Sequence, residues 1–149
     1  MTYIVVDLDS TLADNSHREH FIAEGREDGK DWESFHNAME EDAVFSDVDG
    51  LLDSLIATDI IFLTARDEKY RRKTVNWLKD KQIKFQGYLI MRDRPHSEET
   101  AADFKLRQLR ILEEEYGHKP LFCLEDQMNI TLKLREAGFI VWNVRNGHA

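Results

Sequence analysis

Residues 2–11 read TYIVVDLDST, and this stretch decides the fold. Its first half, Thr2–Val6, is a short run of β-branched and aromatic residues, which predicts a buried strand. Two acidic residues, Asp7 and Asp9, follow at the point where that strand ends. Holding two carboxylates together beside a buried strand is costly unless a cation accompanies them. The stretch therefore predicts a strand that delivers paired acids to the edge of a sheet.

Strands and helices continue to alternate along the rest of the chain. The further predicted strands are Ile60–Leu63, Tyr88–Met91, Leu121–Leu124 and Phe139–Val144. The predicted helices are Asp49–Thr58, Asp67–Gln82 and Ile130–Ala137. A further predicted helix is introduced by Pro95 and Ser97 and stopped by Gly117. This order is typical of an α/β domain, a three-layer Rossmann-like sandwich around a mostly parallel sheet. We expect residues 1–149 to form a single domain and residues 14–47 to form a small helical cap insert.

The composition indicates an ordered protein, because Leu, Ile, Val and Phe supply 40 of the 149 residues. No apolar run approaches the roughly 18–20 residues of a membrane helix, and the opening strand leaves no room for a signal peptide. A single cysteine, Cys123, excludes an internal disulfide and a cysteine-based zinc site. We therefore expect a soluble cytoplasmic protein without a membrane partner.

The net charge of −9 is unevenly distributed along the chain. Residues 14–47 carry eleven acids against three bases, whereas residues 66–94 carry ten bases against four acids. The overall acidity argues against a protein that binds extended nucleic acid through its backbone charge. The basic segment is either a solvated helix face or a surface that attracts a local anionic partner, and its residues leave both readings open.

Polar side chains gather at the carboxyl ends of the predicted strands, the edge where parallel sheets bind ligands. They are Asp7, Asp9, Thr11, Thr64, Arg66, Arg92, Glu125 and Asp126. The acids at these strand ends are oxygen donors without a cysteine or histidine among them, and they favour a hard cation, Mg²⁺ above all. Carboxylates, a hydroxyl, a lysine and arginines around Mg²⁺ fit phosphoryl transfer, which depends on positioning and charge stabilisation.

Four motifs in order make the chain resemble phosphohydrolases of the haloacid dehalogenase superfamily. Asp7–Thr11 matches the Asp-x-Asp-x-Thr motif that follows a hydrophobic strand, and Phe62–Thr64 matches the strand that ends in Thr or Ser. Lys105 matches the lysine ahead of the last motif, and Glu125-Asp126 matches the acidic pair after a strand. The resemblance covers nearly the whole chain and implies Mg²⁺-dependent hydrolysis of a phosphomonoester through an aspartyl-phosphate.

A narrower resemblance points to the phosphatase domain of polynucleotide kinase-phosphatases. The segment from Leu63 to Lys69, then Trp77-Leu78 and Leu89–Arg92, is similar to that domain. Arg18 lies nine residues beyond Asp9, in the place of an arginine that the domain uses at its active site.

This resemblance implies a role for each site residue. Asp7 would be the nucleophile, and Asp9 would be the general acid for the leaving alcohol and then the base for the attacking water. Thr64 and Lys105 would hold the phosphoryl oxygens. Mg²⁺ would be bound by Asp7, the backbone carbonyl of Asp9, and Asp126. The substrate would be contacted by Arg18, Arg66, Arg92 and Thr11.

Three departures from this subgroup bear on those roles. Ser10 stands where the subgroup has glycine, so we expect the turn after Asp9 to differ slightly. Glu125 replaces an aspartate in the last motif, which leaves Glu125 as an alternative metal ligand to Asp126. The chain has no glycine-rich Lys-Ser/Thr phosphate loop, so we do not expect kinase activity.

The expected substrate is a nucleotide or a 3′-phosphate at a nucleic-acid end, because a chain end needs only a few contacts. One alternative is a free-nucleotide phosphatase such as a 5′-deoxynucleotidase, in which the acidic insert would repel long polyanions. An alternative of another class is a non-catalytic module that binds a phosphorylated ligand, which the intact pair of Asp7 and Asp9 disfavours. The oligomeric state is left open.

Overall fold

The computed structural model describes residues 1–93 and 98–148. The strands are β1 (Thr2–Val6), β2 (Ala13–Asp14), β3 (Ala43–Val44), β4 (Thr58–Asp67), β5 (Leu89–Arg92), β6 (Cys123–Gln127) and β7 (Val141–His148). The α-helices are α1 (Trp32–Asn37), α2 (Ser46–Ser54), α3 (Arg71–Asp80), α4 (Ala101–Tyr116) and α5 (Met128–Glu136). Short 3₁₀ helices span Ser16–Phe21, Met39–Glu41 and Glu68–Tyr70.

Five of these strands form one sheet in the order β5-β4-β1-β6-β7. The central strand β1 pairs with β4 in a register that sets Ile4 opposite Ile60, and with β6 in one that sets Val6 opposite Leu124. Every pairing in this sheet is parallel, which confirms the predicted α/β class. The carboxyl ends of the five strands therefore share one edge.

Helices cover both faces of the sheet, as the alternation of side chains along β1 shows. Val6 points into a core that contains Trp77 of α3, and α2 packs on this side too. Val5 points the other way, into a core with Phe104 of α4 and Leu134 of α5. Because successive side chains of a strand alternate between faces, a strand buried on both faces is apolar throughout. The three-layer sandwich predicted from the sequence is confirmed.

Two strands extend beyond the apolar runs that predict them. β4 continues past Leu63 through Thr64 and Arg66, and β6 continues through Glu125 and Asp126. These polar side chains are buried rather than solvated, because they pair with groups from other elements. These four predicted site residues thus lie on strands and not in the loops that follow.

Helix boundaries also shift from the predicted ones. The helix predicted over Asp67–Gln82 is a 3₁₀ turn followed by α3, and the Asp67 carboxylate accepts a hydrogen bond from the Lys69 backbone amide at its start. Pro95 and Ser97, predicted to introduce the next helix, lie outside the described residues. That helix, α4, ends as predicted at Gly117, whose φ of 79° is the left-handed conformation that favours glycine.

The segment predicted as a cap insert begins and ends in a two-stranded ribbon. β2 and β3 pair antiparallel, with Ala13 opposite Val44, so the two ends of the segment lie side by side. Between them lie α1 and two of the 3₁₀ helices. The division into a main domain and a cap of residues 14–47 stays a prediction.

Within the described ranges, no helix is both long enough and apolar enough to cross a membrane.

Candidate active site

A buried group of charged side chains lies where β1, β6 and α4 meet. Lys105 of α4 donates from Nζ to Asp7 Oδ1 at 2.8 Å and to Glu125 Oε1 at 2.6 Å. The alternation along β1 directs Asp7, like Val5, toward the α4 side of the sheet, and this brings the two charges together. Charge-assisted hydrogen bonds of this length are strong, so the ammonium fixes one oxygen of Asp7.

The other oxygen of Asp7 faces Asp126. Thr11 Oγ lies 3.0 Å from Asp7 Oδ2 and 3.3 Å from Asp126 Oδ1, so its hydroxyl bridges the two carboxylates. One oxygen from each of Asp7, Glu125 and Asp126 lies within 4.8 Å of the other two. Burial, reinforced by the neighbouring carboxylates, raises the pKa of Asp7 and that of Asp126 above their ordinary values.

This set of donors fits a divalent cation. Three buried carboxylates share their space with the Lys105 ammonium, and burial, followed by the charges of Asp7 and Glu125, raises the pKa of Asp126. A hard dication bound by carboxylate oxygens would remove the cost of ionising these acids. The cluster can therefore hold a divalent metal ion.

Glu125 differs from the other two acids in what its oxygens contact. Its Oε1 accepts from Lys105, and its Oε2 accepts from the backbone amides of Asp126 at 2.9 Å and Gln127 at 3.1 Å. Burial would raise the pKa of Glu125, but Lys105, the Gln127 backbone amide and hydrogen bonding with the Asp126 side chain lower it. Both oxygens of Glu125 are thus engaged within the protein, where they orient the lysine and the end of β6.

Asp9 is held by two arginines that the sequence analysis gave to the substrate. Arg66 donates from Nε to Oδ2 at 3.0 Å and from Nη2 to Oδ1 at 2.9 Å, and Arg18 Nη2 lies 2.8 Å from Oδ1. Both guanidinium groups are buried, whereas the Asp9 side chain is 31% exposed. Burial would raise the pKa of Asp9, but Arg66 and Arg18 hold it well below its usual range. Asp9 is therefore a carboxylate at neutral pH.

Asp42, which the sequence analysis did not single out, completes this network. Its fully buried carboxylate accepts from Arg18 Nε and Nη2, both at 2.8 Å, and lies 2.7 Å from His17 Nε2. Arg66 Nη2 lies 3.6 Å from the same carboxylate. A buried guanidinium is stable only beside opposite charge, so the two arginines need Asp42 as well as Asp9.

The turn after Asp9 keeps a conformation that suits glycine. Ser10 has a φ of 63°, a left-handed conformation that costs an ordinary residue roughly 1–2 kcal/mol. The backbone amide of Ala13 donates to the Leu8 carbonyl at 2.8 Å, which closes the turn. The Ser10 hydroxyl donates to Asn15 Oδ1 at 2.9 Å, and this bond offsets part of the strain.

One cavity of about 1400 Å³ exposes most of the predicted site residues. Its lining includes Asp7, Asp9, Thr64, Arg66, Arg92, Lys105, Glu125 and Asp126. The Thr64 hydroxyl accepts from the Arg66 amide at 3.1 Å, which leaves its own proton free to donate. Arg92 donates to the Glu99 carbonyl, and its Nε has no hydrogen-bond partner among the described residues.

Two predicted substrate contacts lie behind this lining. Thr11 is fully buried against Asp7, and Arg18 is buried between Asp9 and Asp42. The structure shows that each orients a carboxylate, and their direct contact with a substrate stays a prediction.

A comparison with protein-family models bears on the identity of the chain. The model described as the phosphatase domain of the polynucleotide kinase PNKP matches residues 1–148. No curated protein matches the chain.

Several solved structures share the fold. Two chains from the Pnkp1/Rnl/Hen1 RNA repair complex match with a TM-score of 0.73, at 22% and 23% sequence identity. Each match covers 98% of this chain, but only 43% and 46% of the two other chains. A class C acid phosphatase from Bacillus anthracis with tungstate bound has a TM-score of 0.64 at 14% identity, covering 99% of this chain and 68% of the other. The chain thus spans less than half the length of the repair-complex chains.

The family match spans almost the whole chain, and the four motifs that predicted it meet in one cavity. The fold shared with an acid phosphatase agrees with it. The chain therefore belongs to the family of PNKP phosphatase domains in the haloacid dehalogenase superfamily, a family of phosphoric monoester hydrolases.

Proposed function

We propose that this phosphatase uses Mg²⁺ and an aspartyl-phosphate at Asp7, and that its substrate is a nucleotide or a polynucleotide 3′-phosphate. The observation that carries the proposal is the position of Asp7, which lies in the cavity lining between Lys105 and Asp126 with Asp9 close by in sequence. A fixed nucleophile, a cation site and a second carboxylate are the groups that this reaction requires.

Asp7 is the nucleophile in this mechanism. An oxygen of Asp7 attacks the phosphorus, and the bond from phosphorus to the leaving oxygen breaks, with its electron pair departing on that oxygen. Lys105 and Thr64 donate to the phosphoryl oxygens, where negative charge accumulates. Water then attacks the phosphorus of the aspartyl-phosphate, which releases inorganic phosphate and restores Asp7.

Asp7, Asp126 and the backbone carbonyl of Asp9 would hold Mg²⁺. When bound, the ion supplies positive charge to the phosphoryl oxygens. Glu125 orients Lys105 and the end of β6 in this arrangement, because both of its oxygens already accept hydrogen bonds within the protein.

Asp9 exchanges the proton. Arg66 and Arg18 keep its carboxylate ionised, which is the protonation state that it needs in order to accept a proton from the attacking water. In the preceding step Asp9 must be protonated to donate to the leaving oxygen. A substrate phosphate beside Asp9 favours protonation, since it adds negative charge and competes for Arg66, which lies on the cavity lining.

Two observations support a nucleotide or polynucleotide end as substrate. The family model describes a domain of a polynucleotide kinase, and two structural neighbours come from an RNA repair complex. The cavity of about 1400 Å³ also exceeds the roughly 300–1,000 Å³ of typical small-ligand pockets. Steering of the polyanion by the basic segment 66–94, the absence of extended nucleic-acid binding and the cytoplasmic location stay predictions.

The test is phosphate release with Mg²⁺ from a 3′-phosphorylated oligonucleotide and from a panel of 3′- and 5′-mononucleotides. Asp7→Asn is the control, because it keeps the shape and removes the nucleophile. Acid quenching followed by borohydride reduction should convert the phosphorylated Asp7, and no other aspartate, to homoserine. Release only from mononucleotides would favour the free-nucleotide phosphatase, and an undiminished rate in Asp7→Asn would refute the mechanism.

A further inference from the structure

An aromatic wall forms part of the cavity lining. It consists of Trp32 and His36 on α1 and Tyr70 at the start of α3. The His36 ring stacks on Trp32 with centroids 5.9 Å apart and planes at 25°, and lies 4.9 Å from the Tyr70 ring at 32°. Trp32 and His36 are four residues apart, which places them on the same face of the helix. Together the three rings form one continuous aromatic surface.

This wall is fixed to the phosphate end of the cavity. Phe35, on the inner face of α1, lies under the Arg18 guanidinium at 4.3 Å, and its carbonyl accepts from Arg18 Nη1 at 3.0 Å. Arg18 in turn holds Asp9. The helix that carries Trp32 and His36 is therefore linked to Asp9 through Arg18.

Two features of the wall point to a ligand. Trp32 is 49% exposed, although a tryptophan is usually well buried. His36 Nδ1 is buried without a hydrogen-bond partner in the described residues. Burial lowers the pKa of His36, with Arg18, Arg66 and Lys69 adding to the effect, so its ring is neutral at pH 7.

Charges of both signs border the wall, so it carries no clear net charge. Glu19 and Glu33 lie on the lining, whereas Lys30 Nζ lies 5.8 Å from the centroid of the Trp32 ring and Lys69 Nζ lies 5.1 Å from that of Tyr70. A neutral planar group is not repelled. Base–aromatic stacking tolerates any sequence, since every base has a π-face.

We propose that Trp32, His36 and Tyr70 form a subsite that stacks an unpaired nucleobase of the nucleotide whose phosphate reaches Asp7. The inference rests on the proposed function and adds to it: the enzyme recognises a base as well as a phosphate. It also requires a single-stranded or free nucleotide, because a paired base cannot enter the stack.

The test compares two phosphate esters that differ in having a base. We measure kcat/KM for deoxyadenosine monophosphate and for glycerol 2-phosphate. Of the 3′ and 5′ isomers of the nucleotide, the one with the higher kcat/KM is used. Trp32→Ala should lower the ratio of kcat/KM for the nucleotide to that for glycerol phosphate by about 5- to 150-fold, the range for loss of one stacked base. Trp32→Phe should restore most of the ratio.

Trp142→Ala is the matched control, because Trp142 is 48% exposed but stacks on Phe122 and lies outside the cavity lining. It should leave the ratio unchanged. An equal loss on both esters in Trp32→Ala, or no loss on either, would overturn the subsite while the phosphatase mechanism stands.

A failure of the proposed function has a different signature, in which wild type hydrolyses neither ester. The subsite is then tested by calorimetric titration of adenosine, which carries no phosphate, into wild type and Trp32→Ala. Tighter binding by wild type would support the aromatic subsite on its own, and equal dissociation constants would overturn it.

Discussion

Asp42→Asn should destabilise the protein strongly, because it removes a buried negative charge without changing shape. The Asp42 carboxylate is inaccessible to solvent and contacts Arg18 twice at 2.8 Å and His17 at 2.7 Å. Removing one partner of a buried ion pair typically costs about 3–5 kcal/mol, since the other charge stays buried. Asp9 still faces Arg18 in the variant, so we expect the lower end, about 3 kcal/mol, which corresponds to a melting temperature about 6–12 °C lower.

The same change should reduce activity. Without Asp42, Arg18 has Asp9 as its remaining carboxylate partner among its observed contacts, and the stronger hold on Asp9 opposes the proton transfer. We expect kcat to fall by about tenfold, a barrier increase of about 1.4 kcal/mol.

Asp47→Asn is the matched control for this prediction. Asp47 also accepts two hydrogen bonds from one arginine, Arg145, at 2.8 and 2.7 Å, but 65% of its side chain is exposed. Exposed ion pairs contribute about 0–1 kcal/mol to stability, so the free energy of unfolding of this variant should be close to that of wild type. Urea unfolding at pH 7 measures both variants. A difference between them of less than about 0.5 kcal/mol would refute the reasoning that burial makes Asp42 essential.

Three further predictions concern the acids and the turn of the site. Asp126→Asn should stabilise the metal-free protein, because the raised pKa of Asp126 means that ionising it costs folding free energy as pH rises above roughly 4. The same variant should lose the stabilisation by Mg²⁺ that a thermal melt measures in wild type. A wild-type-like response to Mg²⁺ would exclude Asp126 as a ligand. Asp9→Asn should destabilise the protein at pH 7, because the lowered pKa of Asp9 gives the wild type stability that is lost when Asp9 is protonated. The difference in free energy of unfolding between variant and wild type should therefore shrink as pH falls below about 4. A pH-independent difference in urea unfolding would contradict this. Ser10→Ala should lower the free energy of unfolding by about 0.5–1.5 kcal/mol, because it loses the hydrogen bond to Asn15. Ser10→Gly should have a free energy of unfolding within about 1 kcal/mol of wild type, because relief of the left-handed strain offsets that loss. Equal unfolding free energies for the alanine and glycine variants would remove the strain argument.

The fold was predictable because its signals are local. The apolar run Thr2–Val6 predicts a buried strand from neighbouring residues alone, and four more such runs separated by helices imply a parallel sheet. The ends of β4 and β6 were missed, because Thr64, Arg66, Glu125 and Asp126 are polar residues that continue a strand only when partners from other elements meet them.

The sequence named residues that the structure brings together, but not the contacts between them. The four motifs name Asp7, Thr64, Lys105 and Asp126, and the cavity exposes all four. Arg18 and Arg66 hold Asp9, a contact that the sequence did not indicate, and their contact with a substrate stays a prediction. Asp42 was one of eleven acids in residues 14–47, and no pattern in sequence distinguishes the one that becomes buried.

The sequence by itself determined the order of strands and helices, the pair of acids at the end of β1 and the motifs that name the family, because periodicity and spacing are properties of neighbouring residues. Only the tertiary structure decided which charges neutralise which. Lys105 lies 98 residues from Asp7, Arg66 lies 57 from Asp9, and Asp42 lies 24 from Arg18. Such pairs form where the sheet edge and α4 bring the chain back together, and burial then makes each partner indispensable.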